Sequence, residues 1–295
     1  MASSGAAPAP SIRTDVNTLI QYATLVKLAE GVPPNQTVFT PGKVFNVSYG
    51  PVNVDYTAAM TFYGNDLATD ANPARATQVV SFGFVAQDAA GNVVISIRGT
   101  EGIFEWLQDA RFLDVPCPFL PGAGRTEDGF TAVYESLRQT QDPASKHLVD
   151  VVAGLPYPKP VTSWTVCGHS LGGALTTLFA LDFAAHALKA EGSAAAHLSV
   201  YSYASPRTGN ASFVDTYNQL VPNTCRLANR FDLVPKVPLP PEYQHVLGLF
   251  ELNPKLDVKP DVLCEHHLTT YMNLVSKMGS GAVLPLDPGC AGISL

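Results

Sequence analysis

Apolar residues recur at helical spacing over residues 14–30, where Val16, Leu19, Ile20, Ala23 and Val26 share one face. Further along, residues 78–86 and Asn92–Ile97 are apolar, β-branched runs joined by Asp88-Ala89-Ala90-Gly91. They predict paired strands. Residues 129–139 and 145–152 have the spacing of helices, 161–167 of a strand, and 171–190 of a long helix. A strand at Leu198–Tyr203, a helix at 213–220 and a strand at 225–231 follow. After the proline-rich stretch 235–241, a helix over 268–277 closes the pattern. Alternating strands and helices predict an α/β fold with a largely parallel sheet. No repeat, charge block or long Ser/Gly linker divides the chain, so residues 1–295 are expected to form one domain.

Charge narrows the partners. The chain has 295 residues, 18 of them Lys or Arg and 25 Asp or Glu, for a net charge of −7. A nucleic-acid binder would need a basic stripe to neutralise phosphates, so no nucleic-acid partner is expected. Apolar residues make up 46%, enough to supply a core and to exclude disorder. The apolar stretch 174–188 is interrupted by Asp182 and His186 and falls short of the roughly 20 residues a transmembrane helix needs. The first residues show neither a basic n-region nor an apolar h-region, so no signal peptide is read. That leaves an intracellular protein or a trimmed mature form as expectations.

The five cysteines, Cys117, Cys167, Cys225, Cys264 and Cys290, are an odd count, so at least one thiol is unpaired within the chain. No CxxC and no histidine pair at metal spacing occurs, and no zinc site is expected. Cys167, inside an apolar strand, is expected to be a buried free thiol. A Cys225–Cys264 bridge is disfavoured, because the strand opening at Cys225 spans roughly 20 Å before Asp232 and the histidine region. Triplets at Asn35, Asn46 and Asn210 fit glycosylation acceptors and matter only on a eukaryotic secretory route.

The informative segment is Gly168-His169-Ser170-Leu171-Gly172, a GxSxG pattern between a predicted strand and a predicted helix. As a bare motif it is weak, but this context is that of a nucleophile elbow, in which a serine stands on a sharp turn at a helix N-terminus. The bland alternative is a glycine-rich connection with an ordinary serine cap. A serine nucleophile needs a base, and the base an orienting carboxylate. Five histidines follow Ser170: His186, His197, His245, His266 and His267. His186 lies within the long helix and His197 in the connection after it. Asp232 comes at the carboxyl end of a strand, where such sheets collect functional groups, although it could simply be a turn residue before Pro235. One of the two histidines of EHHLTTY (265–271) then completes the order Ser, Asp, His. Oxyanion donors are expected from the Leu171 N–H and from Thr100, which ends the strand-end turn Arg98-Gly99-Thr100.

ISIRGT (95–100), VCGHSLGGAL (166–175), ANRFDLVPKVP (228–238) and HHLTTY together resemble the class 3 (fungal lipase-like) triacylglycerol lipase family. The resemblance runs in order from about residue 93 to 275. It implies an α/β-hydrolase fold, a mostly parallel central sheet flanked by helices, with a lid-like segment after the oxyanion turn. It also implies a triad of Ser170, Asp232 and a histidine in HHLTTY, with Thr100 and Leu171 as oxyanion residues. The family pattern His-x-Leu-x-x-Tyr selects His266 over His267. GIFEWLQDARF (102–112) resembles the lid-bearing region, including Trp106 and Asp109. Within the unusually apolar segment 102–120, Ile103, Trp106 and Leu107 share a helical face that would cover an acyl pocket, or else pack as ordinary core. The expected function is serine-dependent hydrolysis of acyl-glycerol esters at a lipid–water interface, through an acyl-enzyme and without cofactor or metal. The alternatives are a phospholipase A1, a soluble carboxylesterase, or a non-catalytic lipase-like signalling or binding protein.

Overall fold

The computed structural model describes residues 12–33, 36–66, 78–100, 112–188, 197–254 and 257–292. Helix α1 (Val16–Glu30) is capped by Asp15, whose carboxylate accepts the Thr18 N–H at 3.1 Å. Strands β1 (Val44–Tyr49), β2 (Val52–Asn65), β3 (Val79–Asp88) and β4 (Asn92–Ile97) follow. They pair antiparallel in sequence order. A separate two-stranded ribbon joins β5 (Asp114–Pro116) to β6 (Arg125–Glu127). Helices α2 (Asp128–Ser136) and α3 (Leu148–Val152) lead into β7 (Ser163–His169) and α4 (Leu171–Phe183). Next come β8 (Leu198–Tyr203), α5 (Ala211–Leu220), β9 (Thr224–Asn229), β10 (Leu249–Leu252), α6 (Val262–His266) and α7 (Leu268–Ser276). Among the described residues the main sheet runs β1-β2-β3-β4-β7-β8-β9-β10, and from β4 to β10 every pairing is parallel.

Both faces of β4, β7, β8 and β9 are covered, so nearly all of their residues are buried. Successive residues of β4 point to opposite layers. Val93, Ile95 and Ile97 pack with Leu171, Leu175 and Leu178 of α4, while Val94 joins Leu19, Ile20 and Val26 of α1. Each such aliphatic side chain contributes about 2 kcal/mol by leaving water. The sheet thus fixes the carboxyl ends of β4, β7, β8 and β9 along one edge, where the chain turns towards the candidate site.

Several expectations need correction. The long helix predicted over 171–190 is α-helical only to Phe183 and continues as a π-helical turn, Ala184–Leu188. By length and composition Leu171–Leu188 could cross a membrane, but 83% of it is buried inside the fold, as in a core helix. Strand β2 was not anticipated. Its register with β3 shifts between Ala58 and Met60 and again between Phe62 and Tyr63, which breaks the alternation a strand normally shows. Cys264 is bridged, to Cys290 rather than to Cys225, while Cys117, Cys167 and Cys225 are buried free thiols. The disfavoured Cys225–Cys264 pairing is absent, and Cys167 is free and buried as expected. Most of the lid-like segment, including Ile103, Trp106, Leu107 and Asp109, lies outside the described residues, as does Asn35. The described remainder, 112–120, holds β5 and turns. Asn46 donates to Asn53 and Asp55, and Asn210 caps α5.

Candidate active site

The β7–α4 turn is built from its glycines. A Cβ on Gly172 would lie 2.5 Å from the carbonyl oxygens of both Ile97 and Arg98. Only a glycine lets the first turn of α4 press against the exit of β4. A Cβ on Gly168 would collide with the Gly172 carbonyl oxygen and the Thr176 hydroxyl. Held between them, Ser170 adopts φ 59° and ψ −125°, a strained conformation for a residue with a side chain. Such strain is the mark of a nucleophile elbow, and the Ser170 hydroxyl is raised at the helix N-terminus.

Three side chains distant in sequence meet there. His266 Nε2 is 2.8 Å from Ser170 Oγ, and His266 Nδ1 is 2.8 Å from Asp232 Oδ2. A carboxylate only accepts, so Nδ1–H donates to Asp232 and Nε2 is left to accept the serine hydroxyl proton. Burial holds the imidazole below its ordinary pKa although Asp232 pulls the other way, with His169 adding to the lowering. The ring is therefore neutral near pH 7, a state in which Nε2 can accept a proton.

Asp232 is fully buried and well supplied with donors. Besides His266, the Tyr271 hydroxyl donates to Oδ2 at 2.8 Å and the Val234 N–H to Oδ1 at 2.9 Å. Tyr271 in turn accepts the Asn229 N–H at 3.0 Å, which ties the end of β9 to α7. Tyr271 is a supporting residue that sequence reasoning missed. Its only signal was the final position of the His-x-Leu-x-x-Tyr pattern.

The turn 98–100 lies against the elbow, since a Cβ on Gly99 would be 3.3 Å from Ser170 Cβ. Thr100 Oγ1 donates to Asp66 at 2.8 Å. Leu171 opens α4, and its N–H has no acceptor within the helix. Thr100 and Ser170 both line a cavity of about 530 Å³, together with Lys27, Arg98, Leu263 and His266. His169 and His267 line the same cavity. His267 is partly exposed and pairs with Asp287 at 2.8 Å. His186 pairs with Asp182 at 2.7 Å, about 20 Å along the α4 axis from the elbow. His245 donates to the Pro235 carbonyl at 2.6 Å, and burial, with Arg226 nearby, lowers its pKa to about 3. Among the described residues no cluster of three His, Cys, Asp or Glu could hold a metal ion.

Comparison with known proteins adds the family. Residues 94–242, half of the chain, match the class 3 lipase family. The chain belongs to the class 3 lipases. This class 3 lipase chain is 37% identical over 158 residues to a secreted mono- and diacylglycerol lipase A of Penicillium cyclopium, covering 53% of the chain and 47% of that relative. It is 34% identical over 164 residues to phospholipase A1-II 4 of Oryza sativa subsp. japonica, covering 50% and 40% respectively. It thus spans less than half the length of these curated relatives. The crystal structure of Lip2 lipase from Yarrowia lipolytica has a similar fold, with a TM-score of 0.56 at 23% identity, covering 84% of each chain. The architecture is that of the α/β-hydrolases, as the sequence motifs implied.

Proposed function

We propose that this protein hydrolyses carboxylic esters of acyl glycerols through an acyl-enzyme, with Ser170 as nucleophile, His266 as base and Asp232 as its orienting carboxylate. The observation that carries this reading is the continuous hydrogen-bonded series from Ser170 through His266 to Asp232, anchored on a strained elbow. In the mechanism, His266 Nε2 takes the Ser170 proton as Oγ attacks the ester carbonyl. Negative charge develops on the carbonyl oxygen, within reach of the Leu171 N–H and of Thr100, the proposed oxyanion donors. The imidazolium, stabilised by Asp232, then protonates the departing alcohol. Water activated by the same histidine attacks the acyl-enzyme, and the fatty acid leaves.

A lipid substrate is supported by exposed apolar side chains. Leu263 lines the cavity, Phe231 and Leu233 flank Asp232 in sequence, and all three are about half-exposed at 52%, 48% and 46%. A phospholipase A1 activity is the second reading, favoured by Lys27 and Arg98 lining the cavity beside Ser170 and by the rice relative's name. The test is hydrolysis of a chain-length series of p-nitrophenyl esters, then of emulsified diacylglycerol and of phosphatidylcholine vesicles. Faster turnover of emulsified glyceride than of vesicles is expected. The reverse order favours the second reading, and no ester hydrolysis in any arm refutes both.

A further inference from the structure

His169 precedes the proposed nucleophile in sequence and lies against the proposed base, and both of its ring nitrogens meet acceptors. Nδ1 is 2.9 Å from Glu30 Oε1, and Nε2 is 2.8 Å from the backbone carbonyl oxygen of His266. A carbonyl oxygen can only accept, so Nε2 carries a proton. An ionised carboxylate also only accepts, so Nδ1 carries another. The ring that satisfies both partners is an imidazolium. We propose that Glu30 and His169 form a partly buried ion pair that positions His266 through its backbone and keeps its ring deprotonated between turnovers. The catalytic meaning of this pair rests on the ester-hydrolase function above; its charge state does not.

The surroundings favour this state. Glu30 ends α1, Arg98 leaves β4, Asp232 follows β9, and Tyr271 of α7 has its ring centroid 6.2 Å from that of His169. The His169 and His266 rings are 4.8 Å apart. Burial opposes the charged form of His169, but the Glu30 carboxylate overrides it and holds the imidazole above its ordinary range. Burial likewise opposes ionised Glu30, and His169, with help from Arg98, holds that carboxyl below its ordinary range. A fixed cation beside the His266 ring makes a second cation there unfavourable. Asp232 acts in the opposite sense once the serine proton arrives. The base is thereby kept ready at lower pH without losing its stabiliser in the transition state. Glu30 and His169 are positioning residues, since neither is proposed to touch the reacting atoms.

Glu30→Gln separates charge from geometry. Its amide can donate to Nδ1 of a neutral His169, whose Nε2–H still reaches the His266 carbonyl. Imidazole nitrogen NMR on the whole protein should find both His169 nitrogens protonated at pH 7 in the wild type, and one deprotonated at pH 7 in Glu30→Gln. The His266 titration, and with it the acidic limb of kcat/KM, should rise by about one pH unit in Glu30→Gln, because the His169 cation, its ring 4.8 Å from that of His266, weighs more on that ring than the Glu30 carboxylate does. Glu30→Asp, which keeps the charge, should keep His169 doubly protonated, and it replaces Glu30→Gln as the decisive variant if the latter does not fold. A singly protonated His169 at pH 7 in the wild type, or an unmoved His266 titration in Glu30→Gln, overturns the proposal. The spectra need no substrate, so loss of the ester-hydrolase function and loss of the ion pair are separate results.

Discussion

Tyr271→Phe removes one oxygen from the centre of the site and leaves the ring in place. That oxygen bridges two buried groups, donating to Asp232 at 2.8 Å and accepting the Asn229 N–H at 3.0 Å. Burial and the neighbouring Asp232 push the phenol pKa well above its usual value, so it remains a donor at every working pH. A hydrogen bond to a charged acceptor contributes about 1.5–3 kcal/mol, and a buried N–H left unpaired costs about 1–3 kcal/mol. The two effects share one atom and will not add fully, so a loss of about 3 kcal/mol is expected. At about 2–4 °C per kcal/mol, the melting temperature should fall by about 6–12 °C. Asp232 keeps its bonds to His266 and the Val234 N–H, so kcat should fall by no more than about tenfold. Urea unfolding with an unchanged slope measures the first effect, and steady-state ester hydrolysis the second. Destabilisation below about 1 kcal/mol would show that the bridge is not the support described.

Gly172→Ala should push α4 off the β4 exit, because its Cβ would sit 2.5 Å from two carbonyl oxygens. A kcat/KM loss of at least about a hundredfold is expected, and normal kinetics in a folded Gly172→Ala protein would refute the close approach. Cys290→Ser opens a loop closed across 26 residues and should cost about 3 kcal/mol in urea unfolding; an unchanged midpoint counts against the bridge. The Glu30–His169 pair should also shape stability against pH. The raised His169 pKa stabilises fully below its ordinary 6.5 and is lost as pH rises through the folded value. The lowered Glu30 pKa stabilises fully above its ordinary 4.5 and is lost as pH falls through the folded value. The stability gap between wild type and Glu30→Gln should therefore be widest between those values, and a gap independent of pH would contradict the pair.

What the sequence made legible was whatever depends on local pattern. Strands β4 and β8 are bounded as their apolar runs predict, and the elbow is recognisable from small residues at fixed offsets. That Asp232 would lie at the site, where it meets His266, was legible from its place after a strand. The choice between His266 and His267 needed the family pattern, because adjacent residues at a helix start differ only in direction. The unread parts are long-range or irregular. Bulged β2 loses its period of two, and the short edge strand β10 has too few buried positions to stand out. An apolar run does not tell α from π winding, so the turn after Phe183 was invisible. Cysteine connectivity is set by tertiary distance, as the Cys264–Cys290 bridge illustrates. Glu30 reaches His169 across 139 positions and Tyr271 reaches Asp232 across 39, and nothing in either segment announces its partner.

The central claim, that Ser170 is the nucleophile, is tested most directly by covalent capture. A p-nitrophenyl alkylphosphonate should react at a single site, add one phosphonyl group to the intact mass, release one equivalent of nitrophenol and abolish ester hydrolysis. Peptide mapping should place the adduct on Ser170. Ser170→Ala should take up no label and lose about 10⁵–10⁶ in kcat, while unfolding at a midpoint close to that of the wild type. A phosphonyl adduct on another residue, or Ser170→Ala hydrolysing esters at near wild-type rates, would contradict the account.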